Sequence, residues 1–183
     1  MRIIAGTARS LPLKTIEGLD TRPTTDRIKE TLFNMLQADI PGACFPDLFA
    51  GSGQIGLEAV SRGASYAVFV DNNKKAAACI EENIAFTKFG AVTKLYQMDA
   101  RSALSAMEGK YQFDIIFMDP PYHQKMERDI FTYLSSSSLI TEDTLLIAEV
   151  SKETDFSYLD ELHFVMKKWK PYKTNAHAFV MKK

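Results

Sequence analysis

The stretch "DLFAGSGQIG", residues 47–56, decides the fold of this chain. It contains three glycines, Gly51, Gly53 and Gly56, in the pattern G-x-G-x-x-G. Glycine permits a tight turn and lets the backbone approach a ligand closely, because it has no Cβ atom. We therefore predict that a strand ends here and that a glycine-rich turn leads into a helix.

Short apolar runs and stretches of helical periodicity alternate from Phe45 onward. The apolar runs are residues 47–50, 66–70, 94–98, 113–118 and 144–150, and the helical stretches include residues 54–63, 74–86 and 125–134. This alternation is typical of βαβ units, so it predicts an α/β, Rossmann-like fold with a doubly wound, mostly parallel sheet. Residues 161–183 have two β-like runs around a proline-containing turn, which predicts an antiparallel pair at one edge and seven strands in total.

The first part of the chain departs from this pattern. In residues 24–37 the apolar positions fall at i, i+4, i+7 and i+8, and Thr24, Thr25 and Asp26 can cap the first turn. This predicts an amphipathic helix with the apolar residues Ile28, Leu32, Met35 and Leu36. The residues before it are short β-branched runs separated by turns, which predict a hairpin or an extended arm.

Length and composition fit one domain. The chain has 183 residues, of which 46% are apolar, and a single domain usually has about 100–200 residues. We expect one domain over residues 1–183, with an arm or hairpin at 1–23, a helix over the cofactor site at 24–39 and a catalytic core at 43–183. No apolar run reaches the roughly 20 residues of a membrane span, and the start does not read as a secretory signal. We expect a soluble, cytoplasmic protein.

The cysteines and histidines argue against a metal centre. Cys44 and Cys79 have no C-x-x-C spacing, and His123, His163 and His177 are scattered. We assign no metal and expect both cysteines to be buried thiols.

The charges are unevenly distributed, although the formal net charge is only −1. Residues 1–30 carry six basic and four acidic side chains, and residues 162–183 carry six lysines and no acid. Both ends of the chain can therefore approach a polyanion, while the middle is acidic. Lysine-rich solvated edges explain the distribution equally well from charge alone.

The first predicted strand exit favours one class of cofactor. The glycine pattern itself is shared by dinucleotide-binding folds and S-adenosylmethionine-binding folds. Here Asp47 and Phe49 precede the glycines as D-x-F-x-G-x-G, which puts a carboxylate at the strand end. A carboxylate repels a pyrophosphate and attracts an ammonium or sulfonium group. The exit therefore favours S-adenosylmethionine.

Acidic residues also follow the second and third predicted strands. Asp71, followed by Asn72, lies twenty residues after Gly51, which is the spacing of an acid that receives ribose hydroxyl groups. Asp99 can accept a hydrogen bond from an adenine amino group, with Ala100 beside the ring. A capping role is the alternative for each acid. Ligands of open parallel sheets bind beyond the carboxyl ends of the strands, which favours a common site.

Residues 118–122, "MDPPY", follow the fourth predicted strand. Proline fixes φ and lacks an N–H, so Pro120 and Pro121 make a stiff loop with available carbonyl acceptors. Asp119 and the carbonyl of Pro120 can accept both hydrogens of a planar exocyclic amine and stabilise the charge that develops as it attacks a methyl group. Tyr122 offers a flat face on which an extruded base can stack. This exit therefore predicts a site that binds the exocyclic amine of a planar ring.

The motifs resemble those of a known class of enzymes. "DLFAGSG", "VDNN" and "MDPPY" resemble the ordered motifs of amino-methyltransferases that use S-adenosylmethionine, which have the class I methyltransferase fold. "MRIIAG" and "RPTTDRIKETLFNML" are similar, more narrowly, to the RsmD-type enzymes that methylate guanine N2 in small-subunit (16S) ribosomal RNA. The resemblance covers nearly the whole chain.

The resemblance implies roles for particular residues. The catalytic loop would be Asp119, Pro120, Pro121 and Tyr122. The cofactor pocket would be shaped by Asp47, Phe49, Gly51, Gly53, Gly56, Asp71, Asn72, Asp99 and Ala100, with Arg22 and Thr25 over its methionine end. The expected RNA contacts are Arg2, Arg9, Arg22, Lys170 and Lys173. The chain departs from the family at Ser10 and Lys173, where glycine is usual.

We therefore expect base flipping and in-line methyl transfer to guanine N2, by a monomer that acts on the small ribosomal subunit or its assembly intermediate. Adenine or cytosine in DNA and a protein glutamine are alternative methyl acceptors. A nicotinamide-dependent oxidoreductase is a further alternative, for which the segment "YHQK" at residues 122–125 is a faint candidate. The last alternative is a non-catalytic RNA-binding protein of the same fold.

Overall fold

The computed structural model describes residues 1–16, 25–121 and 124–183. Within these residues the chain forms five α-helices and seven strands. The helices are α1 (Asp26–Met35), α2 (Gln54–Ser61), α3 (Lys74–Thr87), α4 (Ala100–Met107) and α5 (Met126–Leu134). The strands are β1 (Cys44–Asp47), β2 (Tyr66–Val70), β3 (Thr93–Tyr96), β4 (Ile115–Met118), β5 (Leu145–Ser151), β6 (Phe164–Pro171) and β7 (Asn175–Lys182).

The strands form one sheet in the order β3-β2-β1-β4-β5-β7-β6. β1 to β5 run parallel, whereas β7 lies antiparallel to both β5 and β6. The predicted α/β fold, the seven strands and the antiparallel C-terminal pair are therefore confirmed. The order reverses between β1 and β4, and ligands of open α/β sheets bind at such a switch point.

The structure differs from the sequence patterns at two places. The first strand begins at Cys44 and ends at Asp47, because these residues pair with β2, whereas residues 48–50 already turn out of the sheet. α4 was not predicted, although Ala100, Ala103, Leu104 and Met107 are buried at i, i+3, i+4 and i+7. The helical signal was present in the sequence and was missed.

The core lies on both faces of the sheet. Side chains alternate along a strand, so Ile115 and Phe117 of β4 face α1, while Ile116 and Met118 face α4 and α5. All four are almost fully buried, because helices cover both faces. The β-strand exits, and not the strand faces, are thus the part of the sheet open to a ligand.

The N-terminal residues form a hairpin that is docked on α2. Backbone hydrogen bonds link Ile3 with Leu11 and with Ser10, and the side chain of Ile3 is fully buried. Glu58 of α2 accepts hydrogen bonds from the backbone N–H groups of Ile4 (2.7 Å) and Ala5 (3.0 Å). Of the two predicted possibilities, the described residues 1–16 therefore form a hairpin and not an extended arm.

The predicted amphipathic helix is present as α1, and Thr25 caps it by accepting a bond from the N–H of Ile28. A charged residue on this helix is unexpectedly buried. The ammonium group of Lys29 lies 3.6 Å from the carboxylate of Glu58 and donates to the backbone carbonyl of Arg2. Burial lowers the pKa of Lys29, which Glu58 opposes. Glu58 thus joins the hairpin, α1 and α2.

Two further features of the described residues bear on the sequence predictions. Every described helix is too short or too polar to span a bilayer. Cys79 is buried as predicted, but Cys44 is partly exposed because it is the first residue of β1. The proposed division into residues 1–23, 24–39 and 43–183 stays a prediction.

Candidate active site

Asp47, the last residue of β1, is almost completely buried at the switch point of the sheet. Burial raises the pKa of Asp47 to about 7, although a hydrogen bond from the backbone N–H of Phe49 favours the charged form. Its Oδ1 atom has no hydrogen-bond partner among the described residues. Gln54, at the start of α2, likewise has a buried Oε1 atom without a described partner. Two buried acceptors therefore flank the glycine-rich turn.

The three glycines of the turn have different roles. Gly51 and Gly53 have φ values of 56° and 78°, in the left-handed region that favours glycine. A Cβ atom on Gly51 would meet nothing within 4 Å, so open space lies beside this residue. A Cβ atom on Gly56 would lie 2.4 Å from the ring of Phe69. Gly56 therefore lets α2 pack on β2, whereas Gly51 leaves room for a ligand.

Asp71 joins the β2 exit to the glycine-rich turn. One carboxylate oxygen accepts a hydrogen bond from the N–H of Gly51 at 2.9 Å, and the other accepts one from the N–H of Asn73 at 2.9 Å. The neighbouring Asn72 is exposed. A carboxylate has about four lone-pair sites, so these bonds are compatible with a ribose contact.

Asp99, after β3, caps α4 by accepting a hydrogen bond from the N–H of Ser102 at 2.9 Å. That bond lowers the pKa of Asp99, whose side chain is exposed. The next residue, Ala100, is buried in the core. The exit edge that carries Asp47 and Asp71 thus continues to Asp99, since β3 neighbours β2 and β2 neighbours β1.

Asp119 follows β4, which lies on the other side of β1 from β2. Burial of its carboxyl group raises the pKa of Asp119 well above the ordinary value, and the charges of Glu149 and Asp47 raise it further. Pro120 is buried and Pro121 is exposed. The predicted base-stacking residue Tyr122 lies outside the described residues.

Glu149 is an acid of this region that the sequence reasoning missed. It lies in β5, which is parallel to β4, and the pairing of Met118 with Ala148 brings Glu149 beside Asp119. Its side chain is almost fully buried and accepts a hydrogen bond from the amide of Asn175. The apolar run of residues 144–150 contains this single acid, and an acid in such a run was the signal that could have found it.

A histidine and a tyrosine extend the contacts of Glu149. His177 of β7 is fully buried, and its Nε2 atom lies 3.0 Å from Oε2 of Glu149. Its Nδ1 atom lies 3.2 Å from the hydroxyl of Tyr172. The two ring nitrogens of His177 thus contact Glu149 on one side and Tyr172 on the other. The Glu149 side chain is therefore held from β7 in one orientation.

A cavity of about 370 Å³ opens beside Pro120 and Pro121. Its walls come from the β4 exit, α5 and the end of β5. The other lining residues are Lys125, Glu127, Arg128, Glu149, Val150, Ser151, Glu153, Thr154, Asp155 and Tyr158. Because β4 lies between β1 and β5, the Asp119–Pro120 exit separates this cavity from the glycine-rich turn.

The basic residues predicted to contact RNA are dispersed over the surface. Arg2 forms an ion pair with Asp26 at 3.1 Å, and Arg9 is exposed in the hairpin. Lys170 is partly exposed in β6, and Lys173 is exposed in the turn before β7. Arg22 lies outside the described residues. No group of three or more potential metal ligands occurs within the described part of the chain.

The sheet order, the antiparallel β7 and the glycine-rich turn after β1 define the class I methyltransferase fold. The chain belongs to the family described as conserved hypothetical protein 95, which matches residues 1–180. The resemblance to the RsmD-type family is thereby confirmed.

Curated relatives and a solved structure agree with this assignment. The ribosomal RNA small subunit methyltransferase D of Escherichia coli (strain K12) is 36% identical over 155 residues, which cover 84% of this chain and 76% of the relative. The protein of the same name from Haemophilus influenzae is 34% identical over 156 residues, covering 84% and 80%. The solved structure of yhhF from Escherichia coli has a TM-score of 0.85 at 30% identity and covers 100% of this chain and 98% of that chain.

Proposed function

We propose that this protein transfers a methyl group from S-adenosylmethionine to the N2 amine of a guanine in small-subunit ribosomal RNA. The observation that carries the proposal is the position of Asp119 and Pro120 between the glycine-rich turn and the cavity. A methyl donor on one side and an amine on the other would meet at this exit. The relatives named small subunit methyltransferase D support the substrate class.

The residues around the glycine-rich turn fit S-adenosylmethionine. Its ammonium group needs buried acceptors, and the Oδ1 atom of Asp47 and the Oε1 atom of Gln54 lack described partners. Its ribose needs a carboxylate beside the turn, where Asp71 bonds Gly51. The open space at Gly51 leaves room for the molecule. When bound, S-adenosylmethionine supplies an electrophilic methyl group.

Asp119 and the carbonyl of Pro120 would orient the amine. An exocyclic amine of a purine is a poor nucleophile, and two acceptors on its hydrogens stabilise the positive charge that develops during attack. The raised pKa of Asp119 makes its carboxylate a more basic proton acceptor than an ordinary aspartate. Asp119 would thus orient the amine first and then receive a proton from it.

The cavity beside Pro120 would receive the target base. Its volume of about 370 Å³ lies within the roughly 300–1,000 Å³ of ordinary small-molecule sites. A base inside a helix cannot reach Asp119, so the target nucleotide would have to leave its stack. Arg9, Lys170 and Lys173 are exposed or partly exposed and would contact RNA phosphates from outside the cavity.

Transfer of labelled methyl from S-adenosylmethionine tests the proposal. The acceptors are small-subunit particles, naked small-subunit ribosomal RNA and duplex DNA, followed by identification of the methylated nucleoside. We expect N2-methylguanosine in the particles or the RNA, and comparing the two would show whether the assembled particle is the substrate. Label only in DNA, label in protein, or no transfer despite tight cofactor binding would contradict it.

A further inference from the structure

The buried Glu149 lies at the wall of the cavity that would receive the target base. It lines the cavity together with Pro120 and Pro121, and it comes from the strand next to β4. Neighbouring strands lie about 4.8 Å apart, so the acceptors of Asp119 and Glu149 can reach adjacent atoms of one ring. A buried carboxylate is costly unless hydrogen bonds support it. Asn175 and His177 supply such hydrogen bonds from β7, so the Glu149 carboxylate is held in place at the cavity wall.

Guanine has two neighbouring donor groups on its Watson–Crick edge, the N2 amine and N1–H. When Asp119 and Pro120 accept the hydrogens of the amine, N1–H is the next donor along the edge. We propose that Glu149 accepts the N1–H of guanine and so selects guanine over bases whose N1 atom is an acceptor. This inference rests on the proposed function, because it assigns a specificity residue to that reaction.

The contacts from β7 prepare Glu149 for this role. The amide of Asn175 donates to Oε1, and Nε2 of His177 lies 3.0 Å from Oε2. Both contacts fix the orientation of the side chain, whose carboxylate oxygens accept hydrogen bonds. Since a carboxylate has about four lone-pair sites, bonds to β7 are compatible with a bond towards the cavity. Asn175 and His177 would act as positioning residues for Glu149.

The preference for N1–H can be measured with 2-aminopurine at the target position of the RNA. This base keeps the 2-amino group, but its N1 atom carries a lone pair and no hydrogen. A carboxylate repels that lone pair, whereas the amide of a glutamine can donate to it. We expect the wild-type protein to methylate guanine with a kcat/KM about 10- to 100-fold above that for 2-aminopurine.

Glu149→Gln should reduce this preference by at least about tenfold, because a glutamine amide accepts the N1–H of guanine more weakly than a carboxylate and can donate to N1 of 2-aminopurine. 2-Aminopurine also lacks the C6 carbonyl of guanine. This difference is the same for the wild-type protein and for Glu149→Gln, so it cancels when their preferences are compared. Glu153→Gln is the matched control, since Glu153 lines the same cavity but is exposed. It should keep the wild-type ratio, whatever its effect on the rates.

The inference is overturned if the wild-type protein methylates the two bases within about threefold, a result that needs no variant. It is also overturned if Glu149→Gln is shown to fold by a normal thermal unfolding transition and its methylation of guanine and of 2-aminopurine is slowed equally. Failure of the proposed function is distinct, because the wild-type protein would then form no N2-methylguanosine at all. That result would overturn the proposed methylation of guanine N2, and the role of Glu149 would be overturned with it.

Discussion

At the scale of single residues, three carboxyl groups cluster at the exit edge of the sheet. Asp47, Asp119 and Glu149 stand at or beside the ends of the neighbouring strands β1, β4 and β5. Burial raises the pKa values of Asp47 and Asp119, and repulsion from neighbouring acids, among them Glu149, raises both further. Such an edge favours cations and hydrogen-bond donors, which are what a sulfonium cofactor and an amine substrate present.

Asp119→Ala should lower methyl transfer by about 10²- to 10⁴-fold, because it removes both an acceptor for the amine and the proton acceptor. Cofactor affinity, measured by calorimetry, should change only a few-fold. Asp143→Ala is a control, since Asp143 is exposed in the loop before β5, and it should keep full activity. Loss of cofactor binding in Asp119→Ala would instead assign the acid to the cofactor pocket.

The buried Asp47 predicts a pH dependence of stability. Its pKa is raised to about 7 in the folded protein, so between about pH 4 and pH 7 the folded state holds a proton that the unfolded state has released. Without cofactor, the free energy of unfolding should therefore fall by up to about 4 kcal/mol as pH rises through this window.

Urea unfolding at a series of pH values measures this effect. Asp47→Asn cannot titrate, so its free energy of unfolding should depend less steeply on pH. Asp119 contributes a change of the same sign, because its pKa is also raised, and some slope should remain. An identical slope in the wild-type protein and in Asp47→Asn would show that Asp47 does not hold the proton.

At the scale of elements, α2 is the centre to which the neighbouring parts attach. Its Glu58 receives the hairpin backbone and lies beside the buried Lys29 of α1. Its Gly56 lets the helix approach β2 closely. The glycine-rich turn leads directly into the same helix, so the position of α2 also sets the position of the proposed cofactor site.

Gly56→Ala should destabilise the protein by about 1–3 kcal/mol, because the added methyl group would overlap the ring of Phe69. Gly90→Ala is the matched control, since its methyl group would lie 4.0 Å from Ile84 and φ is not left-handed there. Denaturant midpoints would compare the two variants. Equal midpoints would mean that Phe69 moves aside without cost.

Ser10→Gly should stabilise the hairpin by about 0.5–1 kcal/mol. Ser10 has a φ of 69°, a left-handed conformation that costs an ordinary residue about 1–2 kcal/mol and costs glycine little. Ser10→Ala keeps the Cβ atom and should bring no gain. Thermal unfolding of the three proteins measures this, and an equal gain for alanine would assign the effect to the hydroxyl group.

At the scale of the whole molecule, the sheet divides the site into two parts. The glycine-rich turn and Asp71 lie at the exits of β1 and β2, and the cavity lies at the exits of β4 and β5. The lysine-rich C-terminal strands extend the sheet on the cavity side, with β6 at its edge. The basic edge formed by these strands is where a polyanion can approach the cavity side of the sheet.

Combined replacement of Arg9 and Lys173 by glutamine should weaken RNA binding and reduce the slope of log K against log salt by about 1–2, since each phosphate contact contributes roughly 0.7–0.9. Lys94→Gln is the control, because Lys94 is exposed on β3 at the opposite edge of the sheet. Filter binding over a salt series measures both. An unchanged slope in the double variant would exclude these side chains as phosphate contacts.

Local patterns were enough to predict most of the fold. The alternation of strands and helices, the cap at Thr25 and the turn at Gly51 depend on contacts within a few residues, which the sequence displays directly. The same holds for the acids at the strand exits, because each exit could be located from its own apolar run. α4 was the exception, and its periodic apolar residues were visible.

Other features were decided only by the tertiary structure. Lys29 meets Glu58, and Glu149 meets His177, although each pair is far apart in the sequence. A charged side chain on a helix normally faces solvent, so its burial depends on a partner that folding brings near. The sequence by itself therefore determined the elements and the candidate acids at their ends. The tertiary structure decided which acids are buried together and where the cavity opens, because these depend on distant residues meeting across the sheet.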